Sequence, residues 1–373
     1  MQINFNIDVL RELVAQQPHK ASHLIEKFPK INEWKENVKK PTLNQLGELA
    51  NFFHIPFGYF FLKSIPVRTY PIPDYRTIKN EEFKPSTELL ENIKILERRQ
   101  EWAKELLKEF KEPLPFANSI DIKTDIEVAA QKIRDILKLP INWTTSENLK
   151  DWKEAFRLLL DRTEAAGIYV VINGGVDHDQ TKRLDIKEFR GFVLYDNYAP
   201  FLFINGNDFI TGKIFTIIHE IVHVLIGESA SFDFKNLMPA KNNIETFCNA
   251  VTAEFLVPKV LLQNESIKKP NDYERLSLSF KVSRIVIARR LLDLNKITYD
   301  EFVIAYRSFY KSEIDTTKAK GGIFYYAAPY RISREFFNLV YQSVKNNKLL
   351  YRDAFRLTGL KAASFDGYIK DYY

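Results

Sequence analysis

The sequence predicts a mostly helical α+β fold in which one small β-sheet is set among helices. Three observations carry this prediction. Residues 86–111 place Leu89, Ile93, Leu96, Trp102, Leu106 and Phe110 at helical intervals, the spacing of a single apolar face. Three short runs, 167–172, 189–195 and 201–204, are instead dense in β-branched and aromatic residues, which favour strands. Between Ile214 and Ile226 the chain is apolar around its whole circumference, through Phe215, Ile217, Ile218, Ile221, Val222, Val224 and Leu225. Such a segment reads as a helix buried on every side.

The elements follow in order. Residues 1–65 carry several short helical patterns, and Ile65-Pro-Val-Arg-Thr-Tyr-Pro-Ile-Pro-Asp74, with its three prolines, reads as an extended linker. After the helix over 86–111, Pro113 and Pro115 break the chain. Two further helical stretches are expected at 123–138 and 147–166, the second with Trp152 and Phe156 on its apolar face. The three strands come next, then the buried helix. Asn242 or Asn243 is suited to cap another helix that runs to about Val257 and stops near Pro258. Helices resume to the end, with no internal repeat and no low-complexity segment.

A chain of 373 residues is long enough for two or three domains. Its 45% hydrophobic and 27% charged residues are those of a globular protein. The net charge of +6, with a pI near 9.0, permits contact with nucleic acid without requiring it. Cys248 is the single cysteine, which excludes an intrachain disulfide and suggests a reducing compartment. The N-terminus lacks a basic region followed by an apolar core, and no apolar run approaches the roughly 18 residues of a membrane span. A cytoplasmic protein is expected.

The buried helix contains His219, Glu220 and His223 in a His-Glu-x-x-His pattern. Four-residue spacing sets both imidazoles one turn apart on one face, able to hold one metal ion, with Glu220 beside them. Burying two imidazoles and a carboxylate without partners costs about 1–3 kcal/mol per group, a cost that a zinc ion and a water would remove. The plain alternative is two core histidines satisfied by backbone carbonyls. A zinc hydrolase needs a third ligand and an open position for water. The following helix offers Glu245 and Glu254, which nine residues at 100° each place on opposite faces, so one of them faces the metal. Glu245 shares its face with Asn249, a candidate hydrogen-bond partner to the ligands. Cys248 competes as a ligand because thiolate binds zinc well, while its plain reading is small-residue packing. The plain reading of Glu245 is a favourable charge in a first helical turn.

In combination these motifs resemble the ImmA/IrrE family of zinc metallopeptidases, in the long form that begins with an Xre-like helix-turn-helix. The resemblance lies in Phe215-Thr-Ile-Ile-His-Glu-Ile-Val-His223, followed by Glu245-Thr-Phe-Cys-Asn-Ala-Val-Thr-Ala-Glu-Phe-Leu-Val-Pro258. Cys248 and Thr252 stand where the family has alanine, and Val251 where it has phenylalanine. Arg190-Gly-Phe and Pro200-Phe-Leu-Phe-Ile-Asn205 are similar to its strands, and residues 280–292 to its later helical element. Gly321-Gly-Ile-Phe-Tyr and Asp353-Ala-Phe-Arg-Leu-Thr-Gly-Leu360 look like the long form's C-terminal module. The resemblance implies a zincin-like metallopeptidase core with a Zn²⁺ cofactor, His219, His223 and Glu245 as ligands, and Glu220 as general base. At the N-terminus, Pro41-Thr-Leu-Asn-Gln-Leu-Gly-Glu-Leu-Ala looks like an Xre domain's later helix, capped by Thr42 with Leu43, Leu46, Leu49 and Ala50 inward. The segment 30–40 lies where a recognition helix belongs. Lys30, Lys35, Lys39 and Lys40 would meet phosphates, and Asn32 or Asn37 a base edge. Lys35 stands where that family has Glu, and the following glycine is missing. The implied division is a helix-turn-helix domain at 1–65, a linker and helical region at 66–165, the metallopeptidase core at 166–295 and a helical module at 296–373.

Other features read more weakly. Arg190 is a candidate oxyanion donor or a surface salt bridge, and 201–205 an edge strand for a substrate peptide or a core strand. His19 and His23 lack a third ligand, Asp177-His178-Asp179 reads as a turn, and Arg284, Arg289 and Arg290 as a solvated basic face. The expected function is a regulatory zinc endopeptidase that cleaves a specific repressor or toxin–antitoxin component. The alternative is an antitoxin-like transcriptional regulator that uses the same fold as a sensor or clamp. Double-stranded DNA, a partner protein and a second copy of the chain are the expected partners, with no role for a membrane.

Overall fold

The computed structural model describes residues 5–16, 21–53, 57–63, 85–228, 243–263, 265, 270–316 and 328–372. The linker at 65–74, His19, Asn242 and the segment 321–325 lie outside the described residues. The chain forms two compact units, the first reaching Thr87 and the second built mainly from Glu88 onward.

The first unit is all-helical: α1 (Ile7–Gln16), α2 (Ala21–Lys27), α3 (Ile31–Lys35), α4 (Leu43–Phe53) and a 3₁₀ turn at Phe57–Phe61. Val9, Leu10, Leu13, Leu24, Phe28, Ile31, Trp34, Leu46, Leu49, Ala50, Phe53 and Phe60 form its core. Leu43, expected inward, is exposed. Thr42 and Gln45 exchange the two hydrogen bonds of a capping box: Gln45 N–H donates to Thr42 Oγ1 (3.3 Å) and Thr42 N–H to Gln45 Oε1 (2.8 Å). The 30–40 segment is helical for five residues only. Asn37 adopts a left-handed φ of 59°, and the amides of Val38 and Lys39 turn back onto the Glu33 carbonyl. Asn tolerates that conformation better than most residues, so the helix stops well short of Lys40.

The second unit is organised by a three-stranded sheet of β1 (Tyr169–Asn173), β2 (Gly191–Leu194) and β3 (Phe201–Asn205) in the order β1-β3-β2. β3 runs parallel to β1, with Tyr169 opposite Phe201, and antiparallel to β2, with Phe192 opposite Phe203. The 201–205 strand is therefore central and not an edge: both of its backbone sides are already paired. Every residue of the three strands is buried, because helices cover both faces. Val170, Ile172, Val193, Leu202 and Ile204 pack into one core with α6 (Ile126–Leu137), α7 (Trp143–Ser146), α8 (Trp152–Ala165), α9 (Ile210–Ile226), α10 (Asn243–Leu256), α11 (Lys259–Leu262), α12 (Pro270–Phe280) and α13 (Arg284–Asp293), and α14 (Tyr299–Thr316) lies against α13. Tyr169, Val171, Phe192, Leu194, Phe201 and Phe203 face a second core. There α5 (Thr87–Lys108) joins three C-terminal helices, α15 (Arg334–Lys345), α16 (Tyr351–Thr358) and α17 (Ala362–Tyr372). Asp125 and Asp151 cap α6 and α8 by accepting hydrogen bonds from two amides each, which places these helix starts a few residues after the expected ones. No helix among the described residues is long and apolar enough to cross a membrane.

α15 starts on a buried acid. Ser333, itself at a positive φ of 74°, caps the helix, and its hydroxyl and the Arg334 amide both donate to Glu164 of α8. Burial lifts the Glu164 carboxyl from its ordinary 4.5 to about 8, against the hydrogen bonds from Ser333 and Val170. The folded protein thus keeps a proton that the unfolded chain releases. The resulting stability is fully present below about pH 4.5 and is lost as pH rises through about 8, by up to about 1.4 kcal/mol per unit. Glu164→Gln should flatten this dependence. Thermal melts at pH 5 and pH 8.5 should show a smaller fall for the variant, and equal falls would contradict the assignment.

Candidate metal centre

α9 is held at both ends before any ligand is considered. Near its start the buried Lys213 ammonium donates to the Gly206 carbonyl (2.7 Å). At its end Gly227 turns left-handed (φ 86°) and returns its amide to the His223 carbonyl (3.0 Å). The amides of Asn118, Ser119 and Ile120 then satisfy the carbonyls of Val224 and Leu225. Gly227 is required there twice over, since a Cβ would also lie 2.7 Å from the Asn118 side chain.

α10 packs against α9 and α6. Its two glutamates divide as the helical angle dictates. Glu254 turns away from the histidines into a buried ion pair with Arg290 of α13 (Arg284–Asp293). Arg290 also donates to the Val257 carbonyl (3.0 Å), and Arg134 of α6 to the Glu254 carbonyl (2.8 Å). Arg290 is therefore no part of a solvated basic face. It is buried because Glu254 needs a cation. Arg284 and Arg289 pair instead with Glu274 and Asp293.

Glu245 turns toward α9. Its Oε2 lies 3.2 Å from His219 Nε2 and its Oε1 3.4 Å from His223 Nε2, and the two Nε2 atoms are 3.1 Å apart. All three side chains are buried. Neighbouring donors around a tetrahedral zinc, at about 2.0–2.1 Å from the ion, stand about 3.3 Å from one another. The set has this spacing, and the facing imidazole nitrogens point at one another and at a carboxylate, not at backbone carbonyls. Asn249, one turn after Glu245, lies close enough to His219 to favour its charged form, while Nδ1 of each imidazole is buried with no hydrogen bond. Cys248 is fully buried, and its sulfur and the two imidazole donors lie within 4.8 Å of one another. Glu220 is buried beside them, with Oε2 making no hydrogen bond. These residues fit a metal ion.

The electrostatics agree with that fit. Burial pushes the His219 imidazole down, opposed by Glu245. Burial alone would raise Glu245, but hydrogen bonds from both histidines outweigh it and hold the carboxyl well below the carboxylate range. Burial, reinforced by the negative charge of Glu245, pushes Glu220 well above that range. Two carboxylates in one buried site are thus pushed in opposite directions.

Gly191 was not legible as a site residue. A Cβ there would stand 2.3 Å from Thr216 Cγ2, 2.8 Å from the Phe203 carbonyl oxygen and 3.7 Å from Glu220 Oε1. The missing side chain lets α9 approach β2, with Thr216 and Glu220 against the strand. Gly191→Ala should destabilise the protein by about 1–3 kcal/mol, because the carbonyl cannot move aside. Chemical denaturation would measure this, and an unchanged midpoint would show that the close approach is not needed.

The other sequence candidates lie elsewhere. Arg190 is 3.6 Å from the buried Asp208 Oδ2, the salt-bridge reading of that residue. Asp177 sits in a turn closed by a Val176–Asp179 bridge and pairs with the buried Arg99 (3.2 Å), which also donates to the Leu357 carbonyl (2.8 Å). In the first unit Lys30, Asn32, Asn37, Lys39 and Lys40 are exposed and Lys35 is half-buried. Lys39 pairs with Glu33 (2.9 Å), and the Lys35 carbonyl accepts from Arg11 (2.9 Å).

Two imidazoles and a carboxylate converge beside a second, buried carboxylate on a His-Glu-x-x-His helix, an arrangement able to hold a metal ion. Residues 163–292, which contain all four residues, match the M78 peptidase family model, described as the IrrE N-terminal-like domain. Residues 332–371, spanning α15 to α17, match a domain of unknown function, DUF8813. No curated protein and no solved structure matches the chain.

Proposed function

We propose that the protein is a regulatory zinc-dependent endopeptidase that cleaves one peptide bond in a specific partner, a repressor or a toxin–antitoxin component. The observation that carries this reading is the convergence of His219, His223 and Glu245 at tetrahedral spacing beside Glu220. Zinc is the ion that suits two imidazoles and a carboxylate in this geometry, and when bound it supplies Lewis acidity and an acidified water. Glu220 takes the proton of the attacking water and returns it to the leaving amine. A narrow, regulatory role is supported by the likeness of the N-terminal helices to an Xre domain. Comparing protein N-termini in an extract incubated with wild type and with Glu220→Gln tests this reading. It requires a small number of new termini with wild type only, and identical sets would count against it.

A second reading, a DNA-binding regulator with little turnover, is favoured by the exposed Lys30, Asn32, Asn37, Lys39 and Lys40 around α3. Binding of duplex DNA that weakens steeply with salt and is lost on Lys30→Glu/Lys40→Glu would support it. A homodimer would present two such faces to a two-fold operator.

A further inference from the structure

We propose that Cys248 is a fourth protein donor to the metal, so that the resting centre is closed and becomes competent for hydrolysis only when the sulfur withdraws. The proposal rests on the reading of His219, His223 and Glu245 as ligands and adds a residue to it. Cys248 follows Glu245 by three positions, so helix geometry turns both side chains toward α9. Its sulfur and the two imidazole donors lie within 4.8 Å of one another, and all of these residues are fully buried. A tetrahedral ion with a metal–sulfur length of about 2.3 Å and metal–nitrogen lengths of about 2.0–2.1 Å needs these donors about 3.5 Å apart. Bringing the sulfur to that spacing from the imidazole donors takes a contraction of about 1.3 Å at most, within reach of a side-chain adjustment.

A second observation points the same way. Glu220 Oε2 is buried beside these donors and makes no hydrogen bond, so the centre leaves a polar group for a ligand to satisfy. Four protein donors make a structural site, whereas a hydrolytic site needs an open position. Binding of the sulfur is a simple exchange: the thiol S–H bond breaks, the sulfur–metal bond forms and the proton goes to solvent. Withdrawal reverses it, with water taking the vacated position. No electron is transferred in either direction. Cys248 would thereby tighten metal binding and restrain turnover, and Cys248→Ala would leave the three-donor open site.

X-ray absorption on the full-length protein loaded with one equivalent of zinc tests this, alongside the near-ultraviolet sulfur-to-metal charge-transfer band of the cobalt(II) form. Wild type should show a sulfur shell at about 2.3 Å and the cobalt band. Cys248→Ala should show nitrogen and oxygen only, no band, and zinc affinity at least about tenfold weaker. Cys248→Ser serves as the second variant should the alanine protein not fold. Bound metal with only nitrogen and oxygen neighbours in wild type would overturn the fourth-ligand proposal and leave the proposed function standing. A wild type that takes up no metal would overturn both.

Discussion

Glu220→Gln should keep its metal and its fold and lose about 10²- to 10⁴-fold in peptide-bond cleavage, the range associated with removing a positioned general base. The substitution preserves the shape of a side chain packed in a fully buried site, so structural collapse is not the expected route to inactivity. It removes only the ability to accept a proton. Burial and the neighbouring Glu245 already push the Glu220 carboxyl upward, the direction that brings a carboxylate toward the working pH of a base. Metal content, circular dichroism and cleavage rate measured together separate the outcomes. Lost metal would make Glu220 a ligand-positioning residue, and an unchanged rate would remove it from the chemistry.

The largest effect on stability is expected at a residue outside the group of His219, Glu220, His223 and Glu245. Arg290→Ala strands the buried Glu254 carboxylate without its cation, and breaking one side of a buried pair costs about 3–5 kcal/mol. Glu254 lies on α10, the helix that also presents Glu245, so loosened packing there should weaken metal retention as a secondary effect. Replacing both partners, as Arg290→Met with Glu254→Leu, should recover most of the loss, since apolar substitutes leave no unpaired charge. Urea unfolding of the two single variants and the double variant makes the cycle. Additive losses would show that the pair is not coupled.

The candidate site was largely legible in the sequence because its geometry is local. His219, Glu220 and His223 share one helix, and their relative positions follow from 3.6 residues per turn. The opposite facing of Glu245 and Glu254 followed from the same rule. Which of the two turned inward toward α9 did not, since that depends on the packing of α10 against α9 and α6. Features set by contacts distant in sequence were not legible. Arg290 looked like part of a basic surface because its partner lies 36 positions away. The 201–205 strand looked as much like an edge as a core strand, because strand order is not encoded in the strand itself. Gly191 carried no motif beyond its place between Arg190 and Phe192, and its role appears only when α9 is laid against β2. In the first unit Leu46, Leu49 and Ala50 were readable as core residues from their spacing and Leu43 was not, while the early stop of α3 depended on a single left-handed asparagine, Asn37.

Metal analysis of the purified full-length protein tests the central claim most directly. Wild type, dialysed against zinc at low excess, should carry one ion per chain, and His219→Ala/His223→Ala, which removes both imidazole donors, should carry essentially none while retaining its helical content. Wild type without stoichiometric metal, or a His219→Ala/His223→Ala protein that keeps it, would contradict the assignment of His219, His223 and Glu245 as a metal centre.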